Sequence, residues 1–232
     1  MFFVAAAFYA LLKDRSQGRL SLARKLAVPA GNRPDDFLLA HGPMLWWRPW
    51  RLAAAVMLGC AVGVKWSALS FVAVFCVMAV LWDFSARRTA GIHKWFSSAL
   101  TRDGVYAFAT MMPVVLLTYL STWAGWFATS GGRYRHWAEE HPGEGVGWLP
   151  APLRSLWEYH QAGYTFHTGL GSPHGWQASP WTWPFAGRPV MFYFEGYDQG
   201  VNGCDVSRCT EVITDMPNPV MWWACSLSML LL

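Results

Sequence analysis

Nineteen consecutive residues, Val105 to Trp123 ("VYAFATMMPVVLLTYLSTW"), carry no charged side chain. An α-helix needs about 20 predominantly apolar residues to cross the hydrocarbon core of a bilayer. The run therefore reads as a membrane helix, and it limits the fold to one in which helices are packed in lipid. Two more apolar runs, 52–64 and 68–82, are separated only by "KWS" (65–67). With 54% hydrophobic and 14% charged residues, the chain is far below the roughly one-quarter charged content of soluble domains. Its 16 tryptophans suit a protein with much surface at the membrane–water boundary.

The charges segregate. Residues 13–51 hold eight Lys/Arg against three acids, and 83–104 hold four against two, whereas 124–218 hold five against nine. Because Lys and Arg collect in cytoplasmic segments, 13–51 and 83–104 are expected inside and 124–218 outside. The expected order is a membrane helix over 1–12, a cytoplasmic segment 13–51, a membrane hairpin 52–82, a cytoplasmic segment 83–104, a helix 105–123, an extracytoplasmic loop 124–218 and a last helix over 219–232. Both terminal runs look cut within membrane helices, as in an internal piece of a longer protein. The fold class is mainly α, polytopic in the membrane, with a long and partly helical outer loop.

A 13-residue helix spans only about 20 Å, short of a ~30 Å core. So the hairpin's first helix either extends back through Trp50 and Arg51 or leaves its outer turn below the bilayer surface. Lys65 sits in that turn. An ionisable group there either serves a ligand or snorkels to the headgroups.

The outer loop is 95 residues long, and nine tryptophans lie between Trp126 and Trp223. Loops of such length are usually functional or disordered, and this composition argues against disorder. Within it, Pro152 opens a segment with Leu153, Leu156, Trp157, His160 and Tyr164 at helical spacing, which predicts an amphipathic helix over 152–170. Val190–Phe194 reads as a strand. Cys204 and Cys209 are expected to pair in an oxidising compartment; the other cysteines, Cys60, Cys76 and Cys225, lie in apolar runs. His160, His167 and His174 fall seven apart, but Gly169, Gly171 and Pro173 break any common helical face, so no metal site is expected.

"GVKWSAL", "TYLSTWAGWF", "YRHW", "LWEYHQAGYTFHTGLGSPHGWQASPWTWP" and "GRPVMFYFEG" occur in this order. Together they resemble the protein O-mannosyltransferase family, most of all its bacterial branch, which acts on polyprenol-phosphate-mannose. The resemblance implies the GT-C fold and transfer of mannose from a polyprenyl phosphate to Ser or Thr of secreted or membrane proteins, with inversion. It covers the family's middle section. The family's general base lies in an earlier outer loop, so no catalytic residue is assigned here and the chain alone is expected to be inactive. Glu158, Glu195 and Asp198 receive no catalytic role. For the donor phosphate and sugar, the resemblance points to Lys65, with Arg133 and Arg135 as further cations. His174, Gln177 and Ser179 offer hydrogen bonds, and Trp181 and Trp183 offer flat faces; the alternative for these rings is an interfacial tryptophan belt. The expected partners are the lipid-linked donor, acceptor proteins and membrane lipid, with no cofactor, metal or nucleic acid. The competing readings are a GT-C relative that glycosylates a lipid, and a transport or scaffold protein. A transporter should show repeated halves, and the sequence has no internal repeat.

Overall fold

The computed structural model describes residues 1–27, 35–171 and 177–231. The chain is mostly helical and divides into two compact units, Met1–Tyr159 and His160–Leu232. The first contains α1 (Phe2–Leu26), α2 (Asp36–His41), α3 (Pro49–Val64), α4 (Ala68–Thr89), α5 (Trp95–Ser98), a π-helical segment Ala99–Gly104, α6 (Val105–Ser121), α7 (Ala124–Ala128), α8 (Trp137–Glu140) and the first half of α9 (Ala151–Gly169). The second contains the rest of α9, a 3₁₀ turn Pro180–Phe185, strands β1 (Val190–Asp198) and β2 (Arg208–Asp215), and α10 (Pro219–Leu231).

Small residues set the packing of the first unit. Ala7, Ala10 and Leu11 of α1 meet Ala54, Ala55 and Leu58 of α3 in one core with Val72, Phe75 and Ala79 of α4 and Met111 and Val115 of α6. Gly59 and Gly63 let α6 come close to α3. A Cβ at Gly59 would lie 2.6 Å from Thr118 Cβ, and one at Gly63 would lie 2.7 Å from Thr122 Cγ2. Ala68–Thr89 and the continuous run Trp95–Ser121 are long and apolar enough to cross a membrane; Pro49–Val64 is a shorter apolar helix. Their outer faces present Val74, Val77, Leu81, Phe108 and Leu117, all exposed, as lipid-facing helices require.

Two helix boundaries differ from the sequence expectation, and a third falls on one of two options it left open. α1 does not stop at Leu12 but continues to Leu26. α3 begins at Pro49 and so includes Trp50 and Arg51, the first of the two options for the hairpin. α4 runs on to Thr89 rather than ending near Trp82. One cause is common to them: at each place a charge that suggested a helix end (Asp14, Arg51 or Asp83) is buried and paired. Arg48 donates to Asp14 at 2.7 and 2.6 Å and to Asp83 at 3.2 Å, while Arg51 donates to Asp14 at 3.0 Å and to Asp83 at 2.7 Å. None of the four residues is more than 7% exposed. Burial opposes the charge on Arg48, but its bond to Asp14 and the Coulomb attraction of Asp83 and Asp14 outweigh burial and raise its pKa. Gly18 leaves room for the guanidinium: a Cβ there would lie 2.8 Å from Arg48 Cζ.

A second buried pair, Arg87 with Asp103, ties α4 to the π-helical segment. Arg87 also donates to the carbonyls of His41 and Pro43, both at 3.0 Å, and Arg102 donates to that of Gly42 at 2.9 Å. Three consecutive carbonyls, from the last residue of α2 into the following loop, are thus held by two guanidiniums. Gly42 has φ +69°, and a Cβ there would lie 2.4 Å from Ile92 Cδ1, so both its conformation and its surroundings require glycine.

α9 forms where the sequence predicts it, but its buried side is narrower. Ser155 and Leu156 are buried, whereas Trp157 and Tyr164 remain exposed. Ser155 Oγ accepts the Ala138 amide at 3.1 Å and so fastens α9 to α8.

In the second unit, β1 covers the predicted Val190–Phe194 and pairs antiparallel with β2, a strand the sequence reading did not identify. Phe194 faces Val212 and Glu195 faces Glu211, and the register shifts between Met191 and Tyr193. Cys204 and Cys209 are joined by a disulfide with Cα atoms 5.7 Å apart. Asn218 caps α10, accepting from the amides of Val220 and Met221 at 3.1 and 3.3 Å, and Pro219 occupies the first helical position, where its missing N–H costs nothing.

Candidate functional site

Lys65 is the first residue beyond α3. Its backbone is extended (φ −157°, ψ 131°), with its amide on Ala61 O. Its carbonyl accepts from Ala68 N at 2.9 Å, so residues 65–67 form a tight turn between two helices. The side chain is exposed. The adjacent Trp66 is half-buried, and its Nε1 donates to Tyr119 Oη at 3.3 Å.

From Tyr119 a ladder of aromatic rings leads across this end of the bundle. Tyr119 meets Trp123 edge-on with centroids 6.3 Å apart, and Trp123 meets Trp126 at 5.9 Å and Tyr159 at 5.0 Å. Trp126 carries the Arg135 guanidinium 5.3 Å from its ring centroid and donates from Nε1 to Arg133 O at 3.1 Å. Lys65 and the arginine pair therefore belong to one end of the first unit and are linked through four aromatic side chains. Trp and Tyr suit this task because each presents a flat apolar body and one polar atom that needs a partner.

Arg133, Tyr134, Arg135, His136, Trp137, Glu140 and His141 line a pocket of about 540 Å³. Tyr134 holds φ +59°, a left-handed conformation that residues other than glycine adopt only when their surroundings impose it. Gly132 is tight against Trp126, with a Cβ there 2.6 Å from Trp126 Cδ1. Arg135 donates from Nη2 to Phe127 O at 3.1 Å, while its buried Nε has no hydrogen-bond partner among the described residues. His141 stacks on Trp137 at 4.8 Å and places Nδ1 3.0 Å from Trp137 O; a carbonyl only accepts, so Nδ1 carries the hydrogen. The pocket offers guanidinium donors in a fixed fork, the geometry that suits phosphate oxygens.

Gln177, Ser179 and Trp181 belong to the second unit, and all three are exposed. Ser179 precedes the 3₁₀ turn, and its carbonyl accepts from the Thr182 amide and hydroxyl at 2.9 and 2.8 Å. Three side chains of α10 grip the turn: Trp222 donates to Trp183 O, Trp223 to Phe185 O at 2.9 Å and Ser226 to Pro184 O at 2.8 Å. Trp181 is left 87% exposed on this turn. His174 lies outside the described residues. Glu195 accepts from both Tyr193 and Tyr197 on β1, and these bonds hold its carboxyl below the usual range; a carboxylate so engaged is a poor base. Glu158 is half-buried in α9, and Asp198 pairs in register with Arg208 at the hairpin's end. Among the described residues, no group of three or more His, Cys, Asp or Glu is arranged to hold a metal ion.

The sequence reading missed the Trp66–Tyr119 contact and the buried ion pairs. The former had a weak signal, since "KWS" and "TYLSTW" each put an aromatic residue at a helix end.

The first unit thus combines helices long and apolar enough to cross a membrane with a cationic, aromatic-rich end. Residues 152–232 match the family model described as the C-terminal four TMM region of protein-O-mannosyltransferase. A polyprenol-phosphate-mannose–protein mannosyltransferase of Mycobacterium tuberculosis is 36% identical over 227 residues, covering 96% of this chain and 42% of the relative. The Mycolicibacterium smegmatis protein of that name is 36% identical over 231 residues (95% of this chain, 42% of the relative), and the Corynebacterium glutamicum one is 30% identical over 239 residues (96% and 43%). The chain is thus similar over nearly its whole length to proteins of this name. It spans about two fifths of the length of the curated relatives it matches. No solved structure matches it.

Proposed function

We propose that the protein of which this chain is a section transfers mannose from polyprenyl-phosphate-mannose to Ser or Thr hydroxyls of proteins, with inversion, at the outer face of a cell membrane. The observation that carries this reading is the similarity over nearly the whole chain to proteins named for that donor and for protein acceptors. On this reading the fold is a polytopic GT-C arrangement with 124–218 outside and 13–51 and 83–104 in the cytoplasm.

In the reaction, the acceptor oxygen attacks the anomeric carbon as the bond from that carbon to the phosphate oxygen breaks. The acceptor proton passes to a general base, and polyprenyl phosphate leaves with the bonding electrons. No residue of this chain is assigned the base. The leaving group gains negative charge, and a cation aimed at it stabilises the transition state more than the ground state. Lys65 is the residue we assign to that role. The pocket at Arg133 and Arg135 supplies further positive potential at the same end of the unit. His174, Gln177 and Ser179 are assigned to sugar or phosphate hydroxyls and oxygens, and Trp181 to the face of a sugar ring. The tail of the donor and the lipid bilayer cover apolar helix faces such as those of α4 and α6.

The test is transfer by the full-length protein in liposomes, given polyprenyl phosphate carrying labelled mannose and a Ser/Thr-rich peptide. Labelled peptide with the anomeric configuration opposite to the donor's is expected. Label confined to lipid products would support a lipid-glycosylating relative, and the absence of any transfer would favour a transport or scaffold role.

A further inference from the structure

We propose that Tyr119 is a positioning residue for Lys65, acting through the Trp66 indole. The inference rests on the reading that Lys65 meets the donor phosphate.

Helix packing fixes α3 as far as its last turn, where Gly63 lies against Thr122. Beyond Val64 the backbone leaves the helix, and Lys65 adopts an extended conformation. The carbonyls of Lys65, Trp66 and Ser67 accept from the Ala68, Leu69 and Ser70 amides at 2.9, 2.9 and 3.2 Å, which cap α4. These local bonds hold the turn together but do not dictate its tilt against the rest of the bundle. The Trp66 Nε1–Tyr119 Oη bond does, because it is directional and joins the turn to the last part of α6. Tyr119 is in turn set against Trp123, and Trp123 against Tyr159 of α9. A change in the Tyr119 bond therefore moves the residue next to Lys65 while leaving the lysine chemically intact. A phenylalanine at position 119 would fill the same volume and pack on the same rings. The hydroxyl also bonds the Trp123 side chain, so Trp66→Phe, which spares that contact, isolates the bond to the turn.

The experiment is a double-mutant cycle in the full-length enzyme in liposomes, with Lys65→Met, Tyr119→Phe and both together. Mannosyl transfer is measured across donor concentrations, and thermal unfolding is measured alongside. Losing one neutral hydrogen bond should lower kcat/KM for the donor roughly 3- to 10-fold. In the Lys65→Met background, Tyr119→Phe should have no further effect, because residues acting through one another are not additive. Trp66→Phe, which removes the donor from the other side of the bond, should reproduce the Tyr119→Phe result and provides the test if Tyr119→Phe fails to fold. Multiplicative losses would show that Tyr119 acts independently of Lys65 and would overturn the inference, as would full activity in both Tyr119→Phe and Trp66→Phe. Near-normal activity in Lys65→Met alone is a different failure: it removes the donor-phosphate reading, and the positioning role falls with it.

Discussion

Arg48 grips Asp14 with two nitrogens, at 2.7 and 2.6 Å, across 34 positions of sequence, and both side chains are almost wholly buried. Removing one partner of such a pair leaves an uncompensated charge and costs about 3–5 kcal/mol. Asp14→Ala should therefore lower stability by that order, seen as a large fall in the thermal unfolding temperature of the detergent-solubilised protein. A change under about 1 kcal/mol would mean that water or lipid headgroups reach the arginines.

Gly59 and Gly63 offer a second stability test. Gly59→Ala places a Cβ 2.6 Å from Thr118 Cβ and 2.8 Å from the Val115 carbonyl. Overpacking of this kind typically costs about 1–3 kcal/mol. Gly125→Ala on α7, where nothing lies within 4 Å of the added Cβ, should be close to neutral. Thermal unfolding of the two variants side by side gives the comparison, and equal behaviour would contradict the close α3–α6 contact.

The β-hairpin should loosen in acid. Hydrogen bonds from Tyr193 and Tyr197 lower the Glu195 pKa. A carboxyl held lower in the folded state than in the unfolded one stabilises the fold above its unfolded pKa, about 4.3, and loses that contribution as pH falls through its folded value. Hydrogen exchange at the amides of 193–197 should speed up below pH 4 beyond its intrinsic pH dependence. Glu195→Gln should flatten the response; an unchanged response would show that Glu195 does not control it.

The Cys204–Cys209 bond closes a short loop, for which chain entropy gives about 2 kcal/mol. Thiol alkylation of the unfolded protein should modify Cys60, Cys76 and Cys225 directly, and Cys204 and Cys209 only after reduction. The proposed orientation adds a second outcome: in intact cells, a cysteine placed at Ser130 should react with a membrane-impermeant reagent from outside. Reaction only after permeabilisation would reverse the topology.

Much of the helical framework was legible because lipid-length apolar runs admit few alternatives. α9 was legible from Pro152 and the spacing of Leu153, Leu156 and Trp157, and β1 from the run Val190–Phe194. The buried ion pairs were not, because a charge inside a polar stretch reads as solvated. The clue lay in phase: Ala7, Ala10, Leu11, Asp14 and Gly18 fall at helical spacing on one buried face, as do Phe75, Ala79, Asp83 and Arg87. Reading each charge against the periodicity of its neighbours would have extended α1 and α4 and marked Asp14 and Asp83 as interior. The link from Trp66 to Tyr119 spans 53 positions and depends on how α3 packs on α6, which no local pattern encodes. The place of Lys65 in the turn between α3 and α4 was legible, since it is a lone cation between two apolar runs.

Stabilisation of the leaving phosphate by Lys65 is read from the rate of mannose transfer to a peptide by full-length Lys65→Met enzyme at saturating donor. Loss of an electrostatic donor aimed at developing charge typically lowers kcat by about 10²–10³. A fall of that size is expected with an unchanged unfolding temperature, because Lys65 is exposed and outside the packed core. Activity within a few-fold of the parent would contradict the claim, leave Lys65 as a snorkelling side chain, and pass the phosphate role to Arg133 and Arg135.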